Sequence, residues 1–181
     1  MTTINSMGHL GPGKMSYLFI DGGCLRQMAI AASEDYVDYD FTKIDFSKVA
    51  KEYTKTFYYD AHPPRKTQET EEDYSKRIDP QDSFFDSLRT IRGMHVYEGD
   101  SRRRRRVVEQ KKVDVMIAVD MLTHAFRGNM HKATILTADL DLKPLIDALV
   151  QNGMQVQLMY PHGKPNKELI HDFRISINIL T

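Results

Sequence analysis

The sequence predicts an α/β fold built on a central, mainly parallel β-sheet, and three observations lead there. Short runs of small, β-branched or aromatic residues, such as 17–20 and 133–137, have the length and apolar character of strands buried on both faces. Each run is followed by apolar residues at helical spacing, as in Leu142, Leu145, Ile146, Leu149 and Val150. Two of the runs give way to acids just before the helix: Asp21 after the first, Asp139 and Asp141 after the second. These carboxylates therefore stand between strand C-termini and helix N-termini, the edge of an open parallel sheet where ligands bind.

Taken in order, residues 1–15 are polar and Gly/Pro-rich and read as a loose arm ahead of a single domain over 16–181. Gly8 to Lys14 has the G-x-x-x-x-G-K spacing of a phosphate-binding loop, but a strand follows where a helix is required, and Met15 replaces the magnesium-binding hydroxyl. The strand at 17–20 ends on Asp21-Gly22-Gly23, and a helix is expected from Cys24 (Leu25, Met28, Ala29, Ala32). Taken alone, Asp21 suits a helix N-cap as well as a site.

Asp45 is expected to cap a helix over Phe46, Val49, Ala50 and Tyr53. A strand at 55–61 carries Asp60 near its end. Residues 62–82 form a charged insert, read as a solvated helical excursion bounded by Pro63-Pro64 and Asp79-Pro80, with a separate helix following (Phe84, Phe85, Leu88, Ile91) and closed by Gly93. A strand at 94–98 precedes the Arg102–Arg106 run.

Residues 112–126 form a mostly apolar helix with Asp114 in its first turn and Asp120 in its middle. Six residues at ~100° each set these acids on different sides, and they stand about 9 Å apart along the axis. Asp114 is the site candidate, and Asp120 is expected to be buried with a partner. After the helix that Asn152-Gly153 closes come a strand at 154–160, a loop with His162, and a short helix at 167–173.

Composition narrows the function. The 181 residues carry 25 basic and 25 acidic side chains, so bulk charge does not argue for nucleic acid. The charge is segregated, with net −4 over 69–82 and net +6 over 102–112. One cysteine excludes an internal disulfide and fits a reducing compartment. Neither a membrane span nor a secretory signal is legible, so a cytoplasmic location is expected.

With parallel strands, Asp21, Asp114, Asp139 and Asp141 converge on one edge. Four carboxylates together repel unless a cation neutralises them, and an oxygen-only donor set favours Mg2+ or Mn2+. Such ions activate water and stabilise the leaving oxygen of a phosphodiester. Arg102, Arg103, Arg104, Arg105, Arg106 and Lys112 are expected to hold the polyanion's backbone. Cys24, Asp120 and Thr137 are expected to support the acids from behind.

The segments F-I-D-G-G (19–23), Y-Y-D-A (58–61), K-K-V-D-V-M-I-A-V-D (111–120) and L-T-A-D-L-D-L-K-P-L-I (136–146) resemble the NYN domain, with the LabA-like branch of the PIN-like nuclease superfamily as the nearest likeness. The resemblance implies a three-layer α/β/α PIN-like domain and a metal-dependent ribonuclease with Asp21, Asp114, Asp139 and Asp141 at its metal site; the expected partner is RNA, single-stranded RNA being favoured. Asp120 matches the family's later acid in the same helix. One departure stands out: where the family commonly has Asn, this chain has Cys24, whose thiol hydrogen-bonds only weakly.

A haloacid-dehalogenase-like phosphatase would need a second Asp where Gly23 stands. The other alternative is a catalytically inactive PIN-like module for RNA binding or protein assembly. Met-rich and Tyr-rich surface is available for a homodimer or another protein partner.

Overall fold

Side chains alternate across a strand, and here the alternation assigns each to one of two apolar layers. The computed structural model describes residues 15–35, 44–99 and 107–159. Within them run β1 (Ser16–Asp21), α1 (Gly22–Asp35), α2 (Phe46–Lys51), β2 (Lys55–Ala61), α3 (Glu71–Arg89), β3 (Met94–Gly99), α4 (Val107–Phe126), β4 (Lys132–Leu136), α5 (Lys143–Gln151) and β5 (Gln155–Met159). Every strand pairing is parallel, in the order β3-β2-β1-β4-β5.

From β1, Tyr17 and Phe19 point into a layer shared with Val113, Ile117 and Met121 of α4 and Leu145, Ile146 and Leu149 of α5. Leu18 and Ile20 point the other way, towards Leu25 of α1, Phe46 and Ala50 of α2, and Phe85 and Leu88 of α3. The result is three layers, helices–sheet–helices. Right-handed crossovers account for it: the chain steps outward from β1 through β2 to β3 with its helices on one face. It then returns to β4 beyond β1 and proceeds the opposite way, which carries α4 and α5 to the other face. Aromatic rings brace the α4 side, with Phe19 stacked on Phe57 (5.0 Å, 8°) and Tyr59 on Tyr97 (5.0 Å, 10°).

The α/β class and the parallel sheet agree with expectation, and Asp45 does cap α2, accepting from the Ser47 and Lys48 N–H groups. Three expectations need correction. First, the charged excursion and the helix after it are one element, since α3 runs straight through Asp79-Pro80. Pro80 lacks an N–H, so the Lys76 carbonyl has no i+4 donor there, yet buried Tyr74, Phe85 and Leu88 anchor α3 on either side of the gap. Thr70 caps this helix by accepting from the Asp73 N–H at 3.1 Å, and Glu71, Glu72 and Asp73 complement its N-terminal dipole. Much of the negative charge read as a wet face thus serves to start a helix.

Second, α1 begins at Gly22, two residues ahead of Cys24. Third, α4 begins at Val107, which sets Asp114 about two turns inside it rather than in its first turn. The arm over 1–14, the Arg102–Arg106 run, His162 and the helix expected at 167–173 lie outside the described residues.

Candidate active site

The strand order reverses between β1 and β4, and the chain leaves their carboxyl ends in opposite directions. That switch point opens a cleft of about 640 Å3, whose walls include Asp21 from the end of β1, Asp60 from the end of β2, Asp114 from α4 and Asp139 from the turn after β4. Arg26 of α1 and His62, just past β2, line it as well. Asp141 is exposed and not part of the lining, but its charge is felt by Asp114.

Thr137 joins the two sides of the switch point. Its hydroxyl donates to Asp21 Oδ2 at 3.2 Å, while Oγ1 accepts the Asp139 N–H at 3.1 Å. Asp21 Oδ1 accepts the Cys24 N–H at 2.9 Å, so the acid caps α1 and faces the cleft at once. Cys24 Sγ takes the Ala138 N–H at 2.9 Å, and Asp139 Oδ1 takes the Asp141 N–H at 2.9 Å. The 3-10 turn over Leu140–Leu142 and Pro144 at the start of α5 follow directly. In effect, β1 and the loop after β4 are sewn together by groups that leave the carboxylates facing one another.

The charges feel this arrangement. Burial raises the pKa of Asp21; the Cys24 N–H and the Thr137 hydroxyl oppose the rise, and Asp60 and Asp139 add to it. Asp114 is pushed up to about 6 by burial, then by Asp139, Asp21 and Asp141. Among the described residues no hydrogen bond or ion pair offsets this. The Cys24 thiol is pushed up to about 12 by burial and by Asp21, and so stays protonated at neutral pH. A cluster of hard oxygen donors that hold up one another's pKa values suits a divalent cation, which would reverse the repulsion. The aspartates form an open set rather than a closed cage. Among the described residues, the one trio whose ligand atoms all lie within 4.8 Å of one another is His62, Asp82 and Glu98.

A model of the NYN domain matches residues 17–179. The chain belongs to the NYN domain family. The NYN domain is part of the PIN-like superfamily, and its members are generally nucleases that use divalent metals. A crystal structure of a protein of unknown function from Vibrio parahaemolyticus is similar in fold, with a TM-score of 0.65 at 15% identity, covering 93% of this chain and 94% of that one. No protein of curated function matches.

In this NYN domain, then, Asp21, Asp114 and Asp139 share a cleft, Asp141 stands outside its lining, and Asp120 faces elsewhere. Asp120 accepts the Tyr59 hydroxyl at 2.8 Å, and burial together with this carboxylate raises the pKa of that phenol. Lys112 is exposed on α4.

Sequence reasoning passed over two features of the cleft. Asp60 is buried and held by both terminal nitrogens of Arg26, with the Gln81 amide and the Tyr58 hydroxyl each 3.4 Å away. Its position at the end of β2 repeats that of Asp21 at the end of β1, a signal that was there to be read. His62 and its two carboxylate partners carried no comparable local sign.

Proposed function

We propose that this NYN domain is a ribonuclease of the LabA-like branch, hydrolysing phosphodiester bonds of single-stranded RNA with Mg2+ or Mn2+ held by Asp21, Asp114 and Asp139, and with Asp141 at the rim. The observation that carries the reading is the convergence of three carboxylates from β1, α4 and the β4 turn on one cleft, where burial and mutual repulsion hold Asp114 near 6.

When bound, a divalent cation supplies Lewis-acid polarisation of a phosphoryl oxygen and lowers the pKa of a bound water. The residues of the chain do the positioning. Thr137 fixes Asp21 and Asp139 relative to each other through one hydroxyl. Arg26, oriented by Asp60, brings a guanidinium to the same cleft, where it can meet a phosphate oxygen. Lys112, exposed on α4, adds positive charge for a polyanion. Cys24 Sγ accepts the Ala138 N–H and burial raises its thiol pKa, so the reading gives this cysteine no nucleophilic part.

The test is cleavage of end-labelled single-stranded RNA in Mn2+ or Mg2+, with a DNA control, comparing wild type, Asp139→Asn and a chelator-treated sample. Cutting by wild type that disappears in the other two is expected. RNA that is bound and never cut, by wild type or by Cys24→Asn, refutes the nuclease reading in favour of a binding module.

A further inference from the structure

His62, Asp82 and Glu98 come from three separate elements: the segment after β2, the middle of α3 and the end of β3. His62 Nε2 lies 3.0 Å from Asp82 Oδ1 and 3.4 Å from Glu98 Oε2. The imidazole side chain is only 8% exposed and packs against the Phe85 ring at 5.4 Å. The other oxygen of Glu98 is held by Arg89.

Protons alone satisfy this arrangement poorly. A neutral imidazole has one N–H, and an Nε2–H can serve one of the two carboxylates that converge on it. The doubly protonated ring would place its second N–H at Nδ1, which is enclosed without a partner. A metal ion on Nε2 leaves the ring proton on the same enclosed Nδ1, so that atom does not separate the two states. A dication, however, meets two carboxylates and a nitrogen together, where a single Nε2–H can only be shared between the two oxygens.

The two nitrogen–oxygen distances suit an ion, and all three ligand atoms lie within 4.8 Å of one another. Metal–ligand bonds of about 2.0–2.2 Å at octahedral to tetrahedral angles separate ligand atoms by roughly 2.8–3.6 Å. The Arg89–Glu98 pair leaves Oε2 as the ligating oxygen and orients it from behind, as the outer partners of metal ligands do.

We propose that His62, Asp82 and Glu98 form a second metal site, for a first-row transition dication such as Zn2+, separate from the aspartate cluster. One nitrogen and two oxygens favour such an ion over Mg2+ or Ca2+, which take oxygen alone. Three protein ligands leave a coordination position for water or substrate. His62 also lines the cleft that contains Asp21 and Asp139, so the ion belongs at its margin. No part of this assignment depends on the nuclease reading.

The experiment is zinc titration by calorimetry on the full chain carrying Asp139→Asn and Asp141→Asn, which disable the aspartate cluster. About one ion per chain is expected. Adding His62→Gln should weaken binding at least tenfold, as should Glu98→Gln if the histidine variant does not fold. With Cu2+ as probe, the electron paramagnetic resonance spectrum should show coupling to one nitrogen, lost with His62. Absence of stoichiometric zinc binding, or binding unchanged by either substitution, overturns the site. Since no cleavage is measured, failure here is distinct from failure of the nuclease assay.

Discussion

Replacing Asp114 with Asn should make the metal-free protein more stable while disabling its proposed activity. The folded pKa of Asp114 is raised from 3.8 to about 6, so the folded state binds more protons than the unfolded chain between those values. Stability therefore falls as pH rises through that window, and the loss is complete above about pH 6. Taken at face value the shift corresponds to ~3 kcal/mol. The carboxylate is only partly buried, and screening by solvent reduces this to about 1 kcal/mol.

Asn keeps the shape and removes the charge. Near pH 8 and without divalent ions, the Asp114→Asn protein should melt roughly 2–4 °C above wild type, as ~1 kcal/mol implies for a chain of this size. At pH 4, where folded Asp114 is already largely neutral, most of the difference should vanish. Added Mn2+ should raise the melting temperature of wild type more than that of the variant, because an ion that binds only the folded state stabilises it. Thermal denaturation followed by circular dichroism at both pH values, with and without Mn2+, measures all of this. A variant less stable than wild type at pH 8, or a gain that persists undiminished at pH 4, refutes the argument from burial and repulsion.

Gly22→Ala should destabilise the fold by about 1–3 kcal/mol in denaturant titration, because a Cβ there would stand 2.5 Å from Tyr58 Oη, on a ring that Phe46, Phe84 and Phe85 enclose; equal or greater stability would show that the ring can give way. Arg26→Met should cost about 3–5 kcal/mol by leaving buried Asp60 without its cation, whereas the double change Arg26→Met with Asp60→Leu should recover most of that loss. Additive effects in the denaturant cycle would mean that the pair is not coupled.

The legible parts of this fold are those written in local pattern. The continuous apolar run at 17–20 and helical spacing after 142 each involve neighbours in sequence, and right-handed connection of parallel strands then fixes which ends share an edge. Asp21, Asp114 and Asp139 reach one cleft by that route. Helix α3 departs from its local pattern because proline acts as punctuation only locally: the packing of Tyr74, Phe85 and Leu88 outweighs one missing hydrogen bond. Arg26 and Asp60 are 34 residues apart, and nothing near either names the other. The meeting of His62 with Asp82 and Glu98 depends on how far α3 leans across the sheet edge, which no spacing rule encodes.

The central place of β1 has a consequence for how the molecule comes into being. Its partner β2 follows soon in the chain, and β1 through β3 can pair as a local unit. Its other partner, β4, arrives only at Lys132, so that Asp21 and the Thr137 that braces it are 116 residues apart. Contacts of such long range close slowly and late. On the ribosome, where the earlier segments emerge first, the nascent chain would hold Asp21 on the unpaired edge strand β1 until β4 docks. The cleft is therefore completed by the last steps of folding, and a partly synthesised chain carries no assembled centre.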